Sequence, residues 1–438
     1  MAEITIEGQH PLHGTVKVSG SKHSAVRLIY AAMLTNEDVV LENVPHVNVV
    51  ETAVKIVQSV GGTANWVGSN RLLLNGSTIQ SFEIPVEVGS FHRYSFLLGA
   101  PLLARFGKAR LPKLHHKTLV LEPINRLLET WESLGVKVED TGDYYDLDGT
   151  NVKSAPVGFR VSTHIGTDNA ILTAAIIPGE TIISNASEET EIDDLLGFLD
   201  ILGVSVERPE PRRIKVVGTD FFNGGNFTVQ PDKTESATFA TAAALTGGNI
   251  IVRGVKQATL TSFVNFLSKI GVRFDFSGDE WRVWSEIDEH PFAPADVTIS
   301  PTPGFVPDWQ PLAALLLTKA EGTSLIHDTV YLNRFDYIRD LNRMGAKIEL
   351  TKPSQHGMVP VISDDSYNFE NQGEPNTVLK IEGPTKLKGV KMHVSDPRFE
   401  HALILAALVA EGKSIISDCA PFEKFLDKLH NLGAHIWH

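Results

Sequence analysis

Hydrophobic and polar positions along the chain form two alternating patterns, and each pattern occurs six times. The first is an Ala/Leu-rich stretch, a short polar turn and a run of β-branched residues, which predicts a buried helix followed by a strand. Its copies are AAMLTNEDVVL from Ala31, APLLARFGKARL from Ala100, AAIIPGETII from Ala174, AAALTGGNIIV from Ala242, LLLTKAEGTSLI from Leu315 and ALVAEGKSII from Ala407.

The second pattern is an amphipathic helix that ends at a glycine and leads into a strand. Its copies are SVGGTANW, SLGVKVE, ILGVSVE, KIGVRFD, RMGAKIE and NLGAHIW, with glycines 61, 135, 203, 271, 345 and 433. Glycine directly after a helix is typical of a left-handed cap. The two patterns keep step at intervals of about 70 residues, which indicates a repeated structural unit. The last interval is longer because a polar segment, 354–377, is inserted, and we expect it to be a surface excursion.

Six units that each mix helices and strands predict an α/β protein with two lobes of three units. The length of 438 residues also suggests more than one domain. Two-lobed α/β proteins commonly bind ligands between their lobes. The pattern alone leads no further than this architecture.

Composition and charge limit the classes of partner and cofactor that the protein is expected to bind. A net charge of −14 argues against a broad nucleic-acid-binding face, although a small basic pocket for an anionic metabolite remains compatible with it. The single cysteine excludes an intrachain disulfide framework. The sixteen histidines are scattered, and His115-His116 lack the i, i+4 or carboxylate spacing of a zinc site, so we predict no metal and no organic cofactor. With no signal-like N-terminus and no apolar run longer than nine residues, we expect a cytoplasmic protein with no membrane partner.

Two segments carry candidate chemistry. In VSGSK, Lys22 stands at a predicted helix start, where free N–H groups and a positive charge could hold a phosphate. The alternative is a capped helix with a solvated lysine. In PTPGFVPDWQ, Asp308 could be a helix N-cap or a general base. Arg334 and Arg398 could form forked pairs with a carboxylate or phosphate, or could be surface salt bridges.

The order of several motifs resembles the enolpyruvyl transferase family, and its UDP-sugar branch above all, over essentially the whole chain. These motifs are VSGSK, HRYSFLLGAPLLARFG, PDKTESATFATAAALTGG, PTPGFVPDWQ, LNRFDYIRDLNRMGA and DPRFEHALILAALVAEG. The resemblance implies a pair of inside-out α/β barrels. One lobe would span residues 20–230, and the other would combine residues 1–19 with 231–438.

The resemblance also implies a reaction: the carboxyvinyl group of phosphoenolpyruvate moves to a hydroxyl of UDP-N-acetylglucosamine and phosphate is released. By position, Lys22 would contact the phosphate, Arg334 and Arg398 the phosphoenolpyruvate carboxylate, and Asp308 would take the hydroxyl proton. The residues implied on the nucleotide-sugar side are Arg93, Ser162, Thr163, His164, Lys233, Glu235 and Val330.

The sequence departs from the family in the loop at 111–122. The family's loop cysteine, a proton donor, is replaced within LPKLHHKT, where His115 or His116 could serve instead or could be ordinary surface histidines. We therefore expect the family's epoxide inhibitor, fosfomycin, to leave no adduct on this loop. The family's Arg-Pro pair becomes Glu122-Pro123, so that Lys117, Arg126 or another cation would have to replace the arginine.

A further departure concerns the acceptor. His23 replaces the asparagine of the family's Lys-Asn pair, and the spacing from Lys22 to Arg27 resembles the shikimate-phosphate branch, in which this arginine meets the acceptor. Two alternatives to UDP-sugar transfer therefore stay open: another acceptor, such as a nucleotide or a shikimate-type phosphate, and a binding paralogue without catalysis. The chain could be a monomer or a weak homo-oligomer.

Overall fold

A computed structural model describes residues 2–114, 124–286, 291–363, 367–394, 396–419 and 423–437. The backbone divides into two compact units. The terminal unit comprises Met1–Val18 and Pro231–His438, and the middle unit comprises Ser19–Gln230. Each unit has its own apolar core, so each buries its helices and strands independently.

The described strands, numbered along the chain, are β1 (Ala2–Glu7), β2 (His13–Lys17), β3 (Val39–Glu42), β4 (Thr63–Gly68), β5 (Arg71–Asn75), β6 (Lys108–Pro112), β7 (Lys137–Asp140), β8 (Tyr144–Asp148), β9 (Val157–Gly158), β10 (Gly179–Ser184), β11 (Ser205–Glu210), β12 (Arg213–Gly218), β13 (Gly225–Thr228), β14 (Asn249–Arg253), β15 (Arg273–Ser277), β16 (Glu280–Trp284), β17 (Val297–Ile299), β18 (Gly322–Asp328), β19 (Ile348–Thr351), β20 (Val378–Gly383), β21 (Lys391–His393), β22 (Lys413–Cys419) and β23 (His435–Trp437). The described α-helices are α1 (Lys22–Ala31), α2 (Asn48–Ser59), α3 (Val86–Gly89), α4 (Gly99–Phe106), α5 (Asn125–Ser133), α6 (His164–Ala175), α7 (Thr190–Ile201), α8 (Lys233–Thr246), α9 (Thr261–Ile270), α10 (Gln310–Leu317), α11 (Tyr337–Arg343), α12 (Phe369–Gln372), α13 (Glu400–Val409) and α14 (Glu423–Asn431).

The middle unit holds three of the described sheets, with strand orders β13-β3-β5-β4, β6-β8-β7 and β11-β12-β10-β9. Its last strand, β13, runs parallel to its first, β3, and pairs Gly225 with Val39. This pairing joins the end of the unit's chain to its beginning. In the three-stranded sheet, the place of a parallel edge strand is taken by a single bridge between Glu83 and Arg110.

The terminal unit holds three further sheets, with orders β21-β22-β1-β23, β15-β16-β14-β2 and β17-β18-β20-β19. Strand β1 lies between β22 and β23 and is antiparallel to both. Strand β2 runs parallel to β14. The first two strands of the chain therefore complete sheets whose other strands come from the second half.

Both units contain helices that are buried on nearly every side. All eight residues of α10 and nine of the ten in α13 are buried, and α6 is buried at eleven of twelve positions. Helix α8 contacts both α10 and α13, which also contact each other. Such helices must lie inside a unit, because a surface helix keeps a polar face. The predicted α/β class, with six repeats and three in each unit, is confirmed.

Local predictions also hold. The six predicted cap glycines all have positive φ, from 82° at Gly135 to 108° at Gly345. The inserted segment, where it is described, contains only α12 and part of a short 3-10 turn, and Val359 is 75% exposed, as a surface excursion requires. None of the helices in the described ranges is both long and apolar enough to cross a membrane.

Candidate active site

Helix α1 begins at Lys22, as the sequence predicted, and the loop before it is tightly fixed. The Ser21 hydroxyl caps the helix by accepting from the Ser24 amide at 3.3 Å, and the Ser21 amide donates to the Gln230 carbonyl at 2.7 Å. A Cβ on Gly20 would lie 1.8 Å from the Asn43 carbonyl oxygen, so only glycine fits there. The half-buried Lys22 side chain thus starts from a rigid backbone.

Arg27, one turn further along α1, is 1% exposed and forms a buried ion pair with Asp168 of α6. Its Nε donates to Asp168 Oδ2 at 2.7 Å, and its Nη1 donates to the His23 carbonyl at 2.6 Å. Burial alone would lower the pKa of Arg27, but the Asp168 carboxylate holds that pKa above its ordinary value. The guanidinium therefore stays charged, and it fixes the first turn of α1 to α6.

His23 and Arg93 lie close to this pair in the middle unit. The Tyr94 hydroxyl lies 3.0 Å from His23 Nδ1, and the Arg27 guanidinium lies over the Tyr94 ring at 5.4 Å. Arg93, the neighbour of Tyr94, begins the 3-10 helix Arg93–Leu98. His23 and Arg27 are therefore brought together around Tyr94, and Arg93 is the residue before Tyr94 along the chain.

The predicted residues 162–164 lie at the start of α6, on the element that carries Asp168. Thr163 is its N-cap and accepts from the Gly166 amide at 3.4 Å, and Ser162 directly precedes it. His164 Nε2 lies 3.4 Å from a carboxylate oxygen of the buried Glu189. His164 also contributes to the electrostatic field at Asp168, so both groups of predicted residues in the middle unit meet at α6.

In the terminal unit, Asp308 lies in the 3-10 helix Pro307–Trp309, which leads directly into α10. Trp309 occupies the N-cap position of α10. Asp308 is therefore not the N-cap of this helix. An Asp308 carboxylate oxygen instead lies 3.7 Å from Arg334 Nη1, with 45% of the aspartate side chain exposed. The Arg334 guanidinium stacks on the Tyr331 ring at 3.3 Å.

A buried hydrogen-bond network holds the turn that carries Val330 and Arg334. Asp328, 1% exposed, accepts from the amides of Val330 and Tyr331 at 2.8 and 2.9 Å. Its second oxygen accepts from Gln310 Nε2 at 2.8 Å, and Gln310 in turn accepts from the Tyr337 hydroxyl. Burial raises the pKa of Asp328 from an ordinary 3.8 to about 6, against the opposing effects of these donors and of Arg334.

Arg398, in the 3-10 helix Pro397–Phe399, engages a carboxylate in a forked arrangement. Its Nε lies 2.9 Å from both oxygens of Asp396. Burial would raise the pKa of Asp396, but the hydrogen bonds from Arg398 and the charge of Arg334 hold it below its ordinary value. Because the ring of Phe399 lies 5.0 Å from that of Tyr337, this arginine is tied to the same buried network.

Lys233 and Glu235 occupy the first turn of α8, which Asp232 caps by accepting from the Thr234 and Glu235 amides. Lys233 is buried, and Glu235 forms an ion pair with Lys428 of α14. This pairing fixes the Glu235 carboxylate within the terminal unit.

The structure thus gathers Asp308, Arg334 and Arg398 in the terminal unit. In the middle unit it brings His23 and Arg27 together beside Tyr94, with Arg93 next to Tyr94 along the chain. His115, His116, Lys117 and Glu122 lie outside the described residues. The main partners missed from sequence are Asp168, Tyr94, Asp328, Gln310 and Asp396. One signal was available for Asp168, since an aspartate inside the apolar stretch of α6 must have a partner to be buried.

Comparisons with known proteins agree with this architecture. The EPSP synthase (3-phosphoshikimate 1-carboxyvinyltransferase) family matches residues 6–431. A UDP-N-acetylglucosamine 1-carboxyvinyltransferase of Acidobacterium capsulatum is 31% identical over 444 residues, which cover 100% of this chain and 96% of the relative. A protein of the same name from Lawsonia intracellularis is 32% identical over 440 residues, with 100% and 99% covered.

Two solved structures share the fold. The enolpyruvyl transferase NikO from Streptomyces tendae superposes with a TM-score of 0.86 at 23% identity, covering 99% of this chain and 98% of the other. An EPSP synthase from Acinetobacter baumannii gives a TM-score of 0.73 at 16% identity, with both chains fully covered. The expected inside-out α/β barrel fold is confirmed.

The Arg27–Asp168 pair makes a prediction about stability. Arg27→Met or Asp168→Leu alone leaves one buried charge without its counterpart, so each should lower the free energy of unfolding by about 3–5 kcal/mol. The double variant should lose less than either single variant, because it buries no unpaired charge. Chemical denaturation of the four proteins measures this cycle.

The half-exposed pair Arg253–Glu280 is the matched control. Replacing either of its residues by alanine should cost less than about 1 kcal/mol. A similarly small loss in Asp168→Leu would contradict a structural role for the buried pair.

The raised pKa of Asp328 predicts that the free energy of unfolding depends on pH. The folded protein binds its carboxyl proton more tightly than the unfolded chain does, so the contribution of Asp328 to unfolding free energy falls as pH rises from about 4 to 6. Asp328→Asn keeps the shape but does not titrate. The wild-type value minus the variant value should therefore fall by about 2 kcal/mol between pH 4 and pH 7.

Urea denaturation of both proteins across this pH range measures the difference. The exposed Asp336, changed to Asn, serves as the control for the substitution itself. A wild-type-minus-Asp328→Asn difference that stays constant with pH would contradict the raised pKa.

Proposed function

Since the chain belongs to the EPSP synthase (3-phosphoshikimate 1-carboxyvinyltransferase) family and is an enolpyruvyl transferase, we propose that its acceptor is UDP-N-acetylglucosamine. The carboxyvinyl group of phosphoenolpyruvate would move to a hydroxyl of this nucleotide sugar, and phosphate would be released. Relatives that carry this activity in their names, at 31% and 32% identity over the whole chain, support the acceptor. The proposed role is a cytoplasmic step of peptidoglycan precursor synthesis.

One observation carries the proposed chemistry: the terminal unit holds a carboxylate and two arginines in one cluster. An Asp308 carboxylate oxygen lies 3.7 Å from Arg334 Nη1. The charge of Arg334 also helps to lower the pKa of Asp396, whose carboxylate is hydrogen-bonded to Arg398. A guanidinium that holds an aspartate in a forked arrangement has the geometry to hold the carboxylate of phosphoenolpyruvate. We assign that role to Arg334 and Arg398.

Asp308 is assigned as the general base. Its half-exposed carboxylate is accessible to a substrate hydroxyl, and a carboxylate can accept a proton as a general base. The 3-10 helix before α10 and the Asp328 network behind Arg334 fix the two partners. Lys22, at the rigid start of α1 in the middle unit, is assigned to the phosphate.

The proposed reaction is an addition followed by an elimination. The acceptor oxygen bonds to C2 of phosphoenolpyruvate while Asp308 takes the hydroxyl proton and C3 gains a proton. The C2–O bond to phosphate then breaks, and C3 loses a proton to restore the double bond. His115 or His116, in the loop that lacks the family cysteine, is proposed as the acid at C3.

The remaining predicted residues are proposed to contact the nucleotide sugar. In the middle unit these are His23, Arg93, Ser162, Thr163 and His164, and in the terminal unit they are Lys233, Glu235 and Val330. Val330 lies in the turn that Asp328 fixes, and its amide donates to that carboxylate. Its position is thus set by the same network as that of Arg334.

Arg27 bears on the choice of acceptor. Its spacing from Lys22 favoured a shikimate-type phosphate, but its side chain is 1% exposed and paired with Asp168. We therefore propose a positioning role for Arg27, which weakens the case for that acceptor. A nucleotide acceptor remains the second candidate on sequence grounds.

A test of Asp308 uses phosphate release from phosphoenolpyruvate and UDP-N-acetylglucosamine. Asp308→Asn keeps the side-chain shape and removes the base, so kcat should fall by about 100-fold or more. Asp336→Asn, a matched change at an exposed position nearby along the chain, should keep the wild-type rate. A wild-type rate in Asp308→Asn would refute the assignment of the base.

The loop gives a separate prediction. Because residues 111–118 contain no cysteine, fosfomycin should leave them unmodified and should not abolish phosphate release. Incubation with the inhibitor followed by peptide mass spectrometry measures this. A covalent adduct on any residue from 111 to 118 would contradict the expectation.

A further inference from the structure

Three side chains with metal-binding atoms meet at an edge of the terminal unit, among residues to which the proposed function assigns no role. One ligand atom from each of Glu7, His10 and His435 can be chosen so that all three lie within 4.8 Å of one another. His435 Nδ1 is 4.0 Å from Glu7 Oε2, and the rings of His10 and His435 stack with centroids 3.7 Å apart.

Strand pairing places two of these ligands on one face. Glu7 of β1 is directly opposite His435 of β23, and the next pair, Ile6 and Ile436, points to the other face. Side chains opposite each other in an antiparallel pair lie about 4.5–5.5 Å apart at Cβ. The register therefore places the Cβ atoms of Glu7 and His435 next to each other.

The backbone after β1 delivers the third ligand. The Gly8 amide donates to the Gly412 carbonyl at 3.2 Å, and the Gln9 amide donates to the Leu408 carbonyl at 2.9 Å. Gln9 has a φ of 66°, which turns the chain so that His10 lies against His435. A side chain on Gly8 would overlap the Ala410 carbonyl, so this path admits only glycine there.

We propose that Glu7, His10 and His435 form a binding site for a zinc ion that ties the first strand of the chain to its last. Two imidazole nitrogens and one carboxylate oxygen are a ligand set that Zn²⁺ takes, with water in the fourth position. Mg²⁺ and Ca²⁺ prefer oxygen ligands, and a site without a thiolate disfavours Cu⁺.

The geometry needs only side-chain movement. In a tetrahedral zinc site with bonds of about 2.0–2.1 Å, neighbouring ligand atoms lie about 3.3 Å apart. Since two stacked rings cannot both direct a nitrogen at one ion, the His435 ring must turn out of the stack. Its side chain is 49% exposed and that of Glu7 is 39% exposed, which leaves room for this turn.

The charged neighbour of the site is Lys413, which is opposite Glu7 on β22. Its ammonium lies over the Trp437 ring at 5.1 Å. The Trp437 ring also lies 6.1 Å from the His435 ring. This indole therefore offers an optical reporter beside the site, because paramagnetic Co²⁺ bound there should quench its fluorescence.

The test is titration of the untagged full chain with Zn²⁺ by calorimetry, with Mg²⁺ as the competing ion. We expect one zinc per chain, and His10→Ala and His435→Ala should each weaken binding by about tenfold or more. Glu7→Gln keeps the size of the side chain and the strand pairing, and it should also weaken zinc binding. This variant tests the site even if a histidine variant fails to fold. Zinc should raise the melting temperature of the wild type but not of these variants.

His46→Ala is the matched control, because His46 also stacks on an aromatic ring, that of Trp66, and lies 3.1 Å from a glutamate. Among the residues that the structure describes, His46 belongs to no group of three possible metal ligands, so this change should leave zinc binding unchanged. Failure to bind zinc, wild-type affinity in both site histidine variants, or loss of affinity in His46→Ala would each overturn the proposal.

Discussion

A buried carboxylate must find hydrogen-bond donors inside the protein, and the terminal unit is organised around one such group. Asp328 accepts from two backbone amides and from the Gln310 side chain, and these donors connect two segments of the chain. The amides set the turn that carries Val330 and Arg334, while Gln310 ties that turn to α10 and to Tyr337. Without these donors, an ionised carboxylate would be far too costly to bury.

The middle unit uses the same constraint in a different form. Asp168 is matched by a full positive charge, that of Arg27, so the two side chains can be buried only together. Arg27 also donates to the His23 carbonyl, which fixes the first turn of α1 just after Lys22. The ion pair thus fixes the backbone next to the proposed phosphate-binding lysine.

Much of the fold could be predicted from sequence because it depends on local patterns. The glycines that end amphipathic helices, such as Gly271 and Gly345, have the positive φ that only glycine adopts readily. The partners of the site residues were harder to predict from sequence. Asp328 and Gln310, for example, are 18 residues apart and come into contact only because β18 packs near α10. The spacing of Arg27 suggested an acceptor contact, and only the structure reveals the carboxylate, 141 residues away, that it pairs with.

The acceptor is the central claim, and one competition experiment tests it most directly. The wild-type chain is given phosphoenolpyruvate with equal concentrations of UDP-N-acetylglucosamine, UMP and shikimate 3-phosphate, and the products are identified by mass spectrometry. We expect the UDP-sugar to gain the carboxyvinyl group in preference to the other two acceptors. A carboxyvinyl product formed mainly on UMP or on shikimate 3-phosphate would contradict it.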